Sequence, residues 1–235
     1  YKKRGECNIN LKKYKEAIED YDKAIELNSD KAVFYGNRGS AKYSLGNYKE
    51  AIEDYDKAIK LKPGKGRYYN ERGNTKYSLG SYKEAIEDYN KAIELNSNNA
   101  VFYGNRGNAK YRLGEYKESI EDYNKAIELN PIFVFGYSNL GSLYNNLNDY
   151  EKAIENLNKA IDLDPNFSDA YNIRGIAYVN QEKFDEAIND FNRAITLNPN
   201  DKEYYYNLGI LYIDLNNYEK AIETLNKAID LDPNF

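Results

Sequence analysis

The chain has 235 residues, three short of seven times 34, and its composition excludes several classes of function. It contains no His, Trp or Met and a single Cys, Cys7, so a Ser-His-Asp triad, a His-ligated zinc and a CxxC redox pair are excluded. The 33 basic and 38 acidic residues give a net charge of −5, which argues against a nucleic-acid partner, because phosphate binding calls for a basic surface.

Hydrophobic residues make up 41% of the chain, which suffices for a packed core and argues against wholesale disorder. No apolar run approaches the ~18–20 residues of a membrane span, and no signal peptide opens the chain. We therefore expect a cytoplasmic protein that has no membrane partner. Because the chain does not begin with Met, we also expect it to be a segment of a longer polypeptide.

Glycine recurs with a period of 34 residues along the whole chain, and repeats of this length are typical of helical arrays. Ala or Ser recurs in two further registers, and the prolines fall in a fourth. Four registers in phase indicate a tandem repeat. The registers are Gly5, Gly39, Gly73, Gly107, Gly141, Gly175 and Gly209; Ala17, Ala51, Ala85, Ser119, Ala153, Ala187 and Ala221; Ala24, Ala58, Ala92, Ala126, Ala160, Ala194 and Ala228; and Pro63, Pro131, Pro165, Pro199 and Pro233.

Each unit of 34 residues predicts two amphipathic helices of about 13 residues, since its apolar residues are spaced three and four apart. In chain order, a glycine such as Gly46, Gly80 or Gly114 ends the first helix, as helix C-caps do. An Asn-Pro or Asp-Pro step then ends the second helix, because the residue before Pro is pushed out of helical geometry. The predicted fold is all-α, and each repeat needs the next one to bury its helices.

These registers resemble the tetratricopeptide repeat (TPR) family, whose pattern has an aromatic at position 4, Gly at 8, Ala at 20 and 27, an aromatic at 24 and Pro at 32. The resemblance covers the whole chain and implies a right-handed superhelical α-solenoid that forms one domain. In the second repeat the six positions are Tyr35, Gly39, Ala51, Tyr55, Ala58 and Pro63. The repeats run 1–31 (entering at position 4), 32–65, 66–99, 100–133, 134–167, 168–201 and 202–235.

Tyrosine is abundant, with 26 in the chain, so a stacking platform for bases or sugars is one interpretation. However, 23 of the 26 fall at positions 4, 11, 12, 17 or 24 of the repeat. Side chains that recur at the same positions of every repeat are typical of packing between helices. The tyrosines with the best prospect of exposure in a groove are Tyr68, Tyr204 and Tyr206, together with the position-12 set Tyr43, Tyr77 and Tyr111.

Position 7 is Arg in five repeats, where the family usually has Leu, and the same five repeats have Asp at position 23. In the repeats with Leu140 and Leu208, position 23 is Asn156 or Thr224, and position 24 changes from an aromatic to Leu. Because these sites change together, we predict a salt bridge between the two helices of each of the five repeats. The alternative, in which some of these arginines face a ligand in the groove, stays open. The pairs are Arg4–Asp20, Arg38–Asp54, Arg72–Asp88, Arg106–Asp122 and Arg174–Asp190.

Members of the family typically present positions 2, 5, 6, 9, 12 and 13 of the first helices to a bound peptide or partner helix. The resemblance therefore implies a concave groove, which in repeats 2 to 4 is a neutral strip of amides edged by tyrosines. Asn side chains can hydrogen-bond an extended peptide backbone without reading its sequence. The candidate binding residues are Asn37, Tyr43, Arg67, Asn70, Asn74, Tyr77, Asn105, Asn108, Tyr111 and Arg112.

Repeats 6 and 7 carry apolar residues on the same first helices. If exposed, this stripe predicts a patch for a partner; ordinary packing between repeats is the alternative. The residues are Ile173, Ile176, Val179, Tyr206, Ile210 and Ile213.

One subtype of the family clamps the C-terminal carboxylate of a chaperone through Lys, Asn and Arg at five places in three repeats. This chain supplies Lys2, Asn37 and Arg67 at three of those places but has Glu6 and Glu71 at the other two. Two acids would repel an anion, so we do not expect a chaperone-tail clamp.

We expect a non-enzymatic scaffold, without a cofactor or a metal ion, that binds a peptide or protein segment along the groove. Adjacent carboxylates such as Glu19 and Asp20 resemble catalytic pairs, but neighbours on a helix diverge by about 100°. Catalysis would also need carboxylates in unlike environments, whereas repeated copies share one. Cys7 occupies a small-residue site between helices, so we expect a buried and inert thiol.

The alternative function is a structural array that associates end to end. It arises because the last repeat has no polar capping helix after it, although terminal repeats normally need one. That leaves Ile222, Leu225 and Ile229 on an uncovered face of the final predicted helix.

Overall fold

The structure is a computed structural model that describes residues 1–233. Over that range the all-α prediction is confirmed, with fourteen helices and no strand. The helices are α1 (Lys2–Asn10), α2 (Tyr14–Leu27), α3 (Ala32–Ser44), α4 (Tyr48–Leu61), α5 (Gly66–Ser78), α6 (Tyr82–Leu95), α7 (Ala100–Arg112), α8 (Tyr116–Leu129), α9 (Val134–Asn146), α10 (Tyr150–Leu163), α11 (Ser168–Asn180), α12 (Phe184–Leu197), α13 (Lys202–Asp214) and α14 (Tyr218–Leu231).

The helices form two compact units, α1 to α8 within residues 1–129 and α9 to α14 from residue 130 onward. Within each unit, the second helix of a repeat packs against the first helix of its own repeat and against the first helix of the next. None of the described helices is both long and apolar enough to cross a lipid bilayer.

A residue with positive φ ends the first helix of a repeat and starts the turn to the second. In three repeats it is the predicted glycine, Gly46, Gly80 or Gly114, with φ of 78–79°. After Gly46, the N–H of Asn47 donates to the carbonyl of Lys42 at 3.0 Å, which satisfies a carbonyl that the helix leaves open. The tight turn lets the two helices of a repeat lie side by side.

The two helices of a repeat meet where the position-8 glycine lies against the side chain at position 24. A Cβ built on Gly107 would lie 2.7 Å from the ring of Tyr123, closer than side-chain carbons normally approach. Position 8 must therefore be glycine as long as a large buried side chain lies opposite. The seven contacts are Gly5–Tyr21, Gly39–Tyr55, Gly73–Tyr89, Gly107–Tyr123, Gly141–Leu157, Gly175–Phe191 and Gly209–Leu225.

Successive repeats share small apolar clusters. In the first unit, Ala41 of α3 packs on Ala17 and Tyr21 of α2, with Ile18 and Phe34 beside them. The side chain at position 10 of one repeat thus fills the space between the helices of the repeat before it.

The expectation of a buried thiol is wrong, because Cys7 is exposed. Its counterpart Ala41 is buried by the second helix of the preceding repeat. In the described chain, α1 is the first helix, so Cys7 lacks that neighbour.

The expectation that Tyr68 and Tyr204 are exposed is also wrong, since both are buried. The ring of Tyr68 lies against Gly36 of the preceding repeat, where a Cβ would come within 2.5 Å of it. The hydroxyl of Tyr204 donates to the carboxylate of Asp169 and lies 3.0 Å from Ser168 Oγ, within hydrogen-bonding distance. Position 3 therefore faces the first helix of the previous repeat.

The contact between positions 8 and 24 predicts the effect of a single methyl group. Gly107→Ala should overpack the core, which costs about 1–3 kcal/mol, while better helix propensity returns about 1 kcal/mol. We expect the free energy of unfolding to fall by about 1 kcal/mol, as measured by urea unfolding followed by circular dichroism. Gly64→Ala is the control, since a Cβ there meets nothing within 4 Å; equal stability of both variants would contradict the role of the contact.

Candidate functional site

All five predicted Arg–Asp pairs lie within hydrogen-bonding distance. Arg106 shows the arrangement: its Nε and Nη2 donate to the two carboxylate oxygens of Asp122 at 2.9 and 2.6 Å. This two-pronged geometry is the strongest way in which Arg holds a carboxylate. The equivalent Nη2 to Oδ1 distances for Arg4–Asp20, Arg38–Asp54, Arg72–Asp88 and Arg174–Asp190 are 2.5, 2.5, 2.5 and 2.8 Å.

Each buried Asp carboxylate has a second donor where position 11 is Lys or Asn. Lys76 Nζ lies 2.7 Å from Asp88 Oδ2, and Asn8 Nδ2 donates to Asp20 Oδ2 at 3.0 Å. The hydrogen bond from Arg4 holds the pKa of the Asp20 carboxyl below its ordinary value. The sequence contained this signal, since position 11 is Lys in repeats 2 to 4, but our sequence analysis did not use it.

The same arginines also reach back to the preceding repeat. Arg38 Nη1 donates to Asp22 Oδ1 at 2.6 Å, and Arg106 Nη1 donates to Asn90 Oδ1 at 2.7 Å. The ring of the position-4 tyrosine lies under the guanidinium, as with Tyr103 at 5.4 Å from Arg106 Cζ to the centroid. Position 7 therefore joins three helices of two repeats, a role that sequence analysis missed.

The repeats that lack this Arg suggest a test. In Arg72→Leu, the buried carboxylate of Asp88 keeps only Lys76, and breaking such a pair costs about 3–5 kcal/mol. The triple variant Arg72→Leu, Asp88→Asn, Tyr89→Leu copies the residues at positions 7, 23 and 24 of repeat 5. We expect it to recover at least half of the loss in urea unfolding, whereas a triple variant as unstable as the single one would refute this account.

Several predicted binding residues line one pocket in the first unit, with a volume of about 230 Å³. The first helices α3, α5 and α7 supply most of its walls, and the second helix α6 contributes Tyr89. We call it the Tyr–Asn pocket, and its residues are Tyr43, Asn74, Tyr77, Ser78, Tyr89, Asn105 and Asn108. Ser78 and Tyr89 are the members that our sequence analysis did not propose.

Hydrogen bonds from buried hydroxyls fix the amides of this pocket. Asn74 Oδ1 accepts from the Tyr89 hydroxyl at 2.9 Å and from Asn105 Nδ2 at 3.0 Å. Asn108 Oδ1 accepts from the Tyr123 hydroxyl at 2.6 Å. The position-24 tyrosines Tyr89 and Tyr123 therefore orient the position-9 amides from below, which sequence analysis missed.

The remaining predicted groove residues lie outside the pocket lining. Asn37 Nδ2 donates to the Tyr21 hydroxyl at 3.2 Å, and Asn70 is buried, accepting from Asn105 Nδ2 at 2.9 Å. Arg112 lies over the ring of Tyr82, 5.3 Å from Cζ to the centroid. The other two are Arg67, which is exposed, and Tyr111, which is half-buried.

Glu71 places a carboxylate at position 6, where neighbouring repeats have Asn37 and Asn105. Its side chain is 31% exposed, and Arg67 Nε lies 3.9 Å away, too far for a hydrogen bond. Burial raises the pKa of Glu71 above its ordinary value of 4.5, while Arg67 and Asn74 act in the opposite direction. An ionised Glu71 therefore destabilises the folded chain.

This raised pKa predicts the pH dependence of one substitution. The pKa of Glu71 is higher in the folded chain than in the unfolded chain. The loss of folding stability caused by its ionisation is therefore absent below the unfolded pKa and grows as the pH rises through the folded pKa. Glu71→Gln should raise the melting temperature at pH 7, and the difference should vanish near pH 4. Glu53→Gln, at an exposed site, is the control, and a difference that is independent of pH would count against the assignment.

In the second unit, the apolar residues of repeats 6 and 7 line a separate pocket of about 200 Å³ between α11, α12 and α13. It contains four of the predicted stripe residues, Ile176, Val179, Tyr206 and Ile210. Ile173 instead packs on the cluster around Ala170 and Ala177, and Ile213 is exposed outside the pocket. The stripe is thus partly pocket wall and partly packing between repeats.

The two pockets differ in the residue at position 9 and in whether the side chain at position 24 carries a hydroxyl. Where position 24 is Tyr89 or Tyr123, position 9 is an amide, whereas Phe191 in repeat 6 accompanies Ile176. In repeats 6 and 7 position 9 is apolar, whereas repeat 5 has Ser142 at position 9 and Leu157 at position 24. In the described part of the chain, no group of three or more His, Cys, Asp or Glu side chains could hold a metal ion.

Family models for the repeat match most of the chain. A model described as a tetratricopeptide repeat matches residues 1–31, 32–65, 100–133 and 134–167. Models described as a TPR repeat or a tetratricopeptide repeat also match residues 73–114, 156–189 and 174–234. Among proteins of curated function, none matches the chain.

Solved structures similar to this chain include a crystal structure of MamA, at 31% identity over 68% of this chain and 93% of that chain, with a TM-score of 0.60. YrrB, described as a TPR protein with an unusual peptide-binding site, has 26% identity over 77% of this chain and 94% of its own, with a TM-score of 0.58. A chain of the APC/C hetero-tetramer Cut9-Hcn1 has a TM-score of 0.83 over 96% of this chain at 19% identity, which shows the fold alone. This chain spans 44% of the length of that chain.

Proposed function

Because the chain belongs to the tetratricopeptide repeat family, we propose that it is a non-enzymatic scaffold whose first unit binds an extended peptide at the Tyr–Asn pocket. The family generally mediates protein–protein interactions. The observation that carries the proposal is the set of pre-oriented amides along this pocket, held by buried tyrosine hydroxyls. Polar groups that are fixed before binding lose little entropy when a ligand arrives.

The amide of Asn105 gives the pocket a hydrogen-bond acceptor for a peptide N–H. Both protons of its Nδ2 are used, by Asn70 Oδ1 at 2.9 Å and by Asn74 Oδ1 at 3.0 Å. Its Oδ1 makes no hydrogen bond to any described residue. An acceptor that is held at a fixed place on a groove suits the backbone N–H of an extended chain.

The size and chemistry of the pocket suit one side chain of such a peptide. Its volume of about 230 Å³ lies below the ~300–1,000 Å³ of typical small-molecule sites. Tyr43 and Tyr77 supply aromatic surface, and the Tyr43 hydroxyl lies 3.1 Å from Ser78 Oγ. Since the lining residues carry no charge, affinity would come from ring contacts and amide hydrogen bonds.

The buried carboxylates support a structural role for the acidic residues. Asp54, Asp88 and Asp122 each accept from an Arg and lie within 2.8 Å of a Lys Nζ. A carboxylate whose oxygens are taken up by two cations suits an ion pair better than general acid or base catalysis. The peptide-binding site named in the description of YrrB is a further reason to test peptides first.

A pair of serine variants tests the site. Ser78→Trp should fill the Tyr–Asn pocket, while Ser44→Trp places the same bulk at the equivalent exposed position of repeat 2, outside the pocket lining. Peptides selected from a random phage-displayed library on the unmodified chain should bind about tenfold or more weakly to Ser78→Trp, a change of ~1.4 kcal/mol, and normally to Ser44→Trp. The measurement is fluorescence anisotropy with labelled peptides.

Two outcomes would overturn the proposal. One is that the library yields no peptide that binds. The other is that both tryptophan variants bind the selected peptides as well as the unmodified chain does.

A further inference from the structure

Glu71 is the only acidic residue at positions 2, 5, 6, 9, 12 and 13 of repeats 2 to 4. It belongs to α5, the helix that also supplies Asn74, Tyr77 and Ser78 to the Tyr–Asn pocket. Its side chain is 31% exposed, so a ligand in the groove can reach the carboxylate. A single acidic group thus stands beside a pocket whose lining carries no charge.

The amide of Asn74 connects this carboxylate to the pocket. Asn74 Oδ1 accepts from the Tyr89 hydroxyl and from Asn105 Nδ2, so Asn74 Nδ2 is the group that faces Glu71. Burial has the largest effect on the pKa of Glu71 and raises it, whereas the charge of Arg67 and a hydrogen bond from Asn74 lower it. The hydrogen bonds therefore run in one direction, from Asn105 through Asn74, and end at the carboxylate.

The neighbours of Glu71 leave acceptor sites open for a ligand. A carboxylate accepts about four hydrogen bonds, and Arg67 Nε, at 3.9 Å, is too far away to supply one. Tyr55 and Tyr89 approach from α4 and α6, but their hydroxyls donate to serine and amide oxygens instead. Within the described part of the chain, the ionised carboxylate therefore lacks a full set of donors.

Position 6 holds the scaffold together in the neighbouring repeats. Asn37 donates to the Tyr21 hydroxyl at 3.2 Å, and Asn105 donates to two amides of repeat 3. Glu71 at the same position instead destabilises the folded chain when it is ionised, because burial raises its pKa. A partly buried charge that costs stability and lies in a groove is typical of a functional site.

We propose that Glu71 binds a Lys or Arg side chain of the peptide, close to the residue that enters the Tyr–Asn pocket. This inference rests on the peptide binding proposed above and adds a preference for a positive charge. Because Asn74 contacts both the pocket and the carboxylate, the cation lies within two residues of the pocket residue. Side chains two residues apart on an extended chain share one face and are about 6.6 Å apart.

The affinity for such a peptide depends on the ionisation of Glu71. The other groups whose charges act there are Arg67 on the same helix and Tyr55 and Tyr89 on α4 and α6. Burial raises the pKa of both tyrosines, so they stay neutral in the acid range, in which an arginine stays charged. Since a bound cation favours the ionised carboxylate, binding should weaken as the pH falls through the folded-state pKa of Glu71.

A double-mutant cycle between chain and peptide tests the contact. Peptides selected from a random library on the unmodified chain should carry a Lys or Arg within two residues of the residue that enters the pocket. Replacing that Lys or Arg by Gln should weaken binding about tenfold, as should Glu71→Gln in the chain, because each removes a hydrogen bond between charged groups. The two changes together should weaken binding no further than either one alone, as measured by fluorescence anisotropy at pH 7.

Two controls separate this contact from an effect on folding. Glu53→Gln, at an exposed site of α4, should bind the peptides as the unmodified chain does. Glu71→Gln should have a higher melting temperature than the unmodified chain while it binds more weakly, so unfolding cannot explain the loss. For an amidated peptide without acidic residues, lowering the pH from 7 to about 4 should weaken binding to the unmodified chain and not to Glu71→Gln.

The outcomes distinguish this inference from the proposed function. Suppose that Ser78→Trp weakens binding but Glu71→Gln binds the selected peptides as well as the unmodified chain does. The preference for a cation is then overturned, and binding at the Tyr–Asn pocket stands. A library that yields no peptide, or peptides that bind Ser78→Trp with full affinity, would overturn the proposed function and this inference with it.

Discussion

The close approach of two helices at a glycine is the constraint on which the rest of the structure depends. A Cβ at Gly73 or Gly107 would come within 2.7 Å of the opposing ring, so the first helix lies directly on the large side chain of the second. This contact sets the separation of the pair, and the separation places position 7 within reach of position 23. It also places position 9 above the hydroxyl at position 24. The ion pairs and the Tyr–Asn pocket both follow from that one distance.

Two solutions for the interior of a repeat coexist in this chain. In one, Arg, Asp and an aromatic ring occupy positions 7, 23 and 24, and the guanidinium is shared with the preceding repeat. In the other, Leu140 and Leu157 are buried together, and Asn156 bonds the backbone carbonyl of Lys152 at 2.8 Å. Replacing a buried ion pair by apolar residues is often neutral in stability. The charged form adds a directional bond between repeats, which fixes how one repeat sits on the next.

The sequence contained enough to predict the helices and the partners of the position-7 arginines, because those residues change together from repeat to repeat. It did not reveal the hydrogen bond from the position-7 Arg to position 25 of the preceding repeat. Position 25 is Asp or Asn in every repeat, whether position 7 of the next repeat is Arg or Leu. Tyr68 and Tyr204 were assigned wrongly because their position varies, so no repeated phase indicated burial. Cys7 was assigned wrongly because burial at its position depends on a neighbouring repeat. Periodicity thus predicts contacts that recur, and it fails where one copy has different surroundings.

The bond between the Tyr89 hydroxyl and Asn74 links interior and surface chemistry within one repeat. A substitution at position 24 that removes the hydroxyl also removes the support for an amide at position 9. In the three repeats without that hydroxyl, position 9 is Ser142, Ile176 or Ile210 and never Asn. An amide at position 9 therefore depends on the core residue at position 24 of the same repeat. The smallest inheritable unit of this binding chemistry is the whole repeat. Recombination that exchanges intact repeats can diversify such a surface, because each new copy brings the position-24 hydroxyl that supports its own position-9 amide.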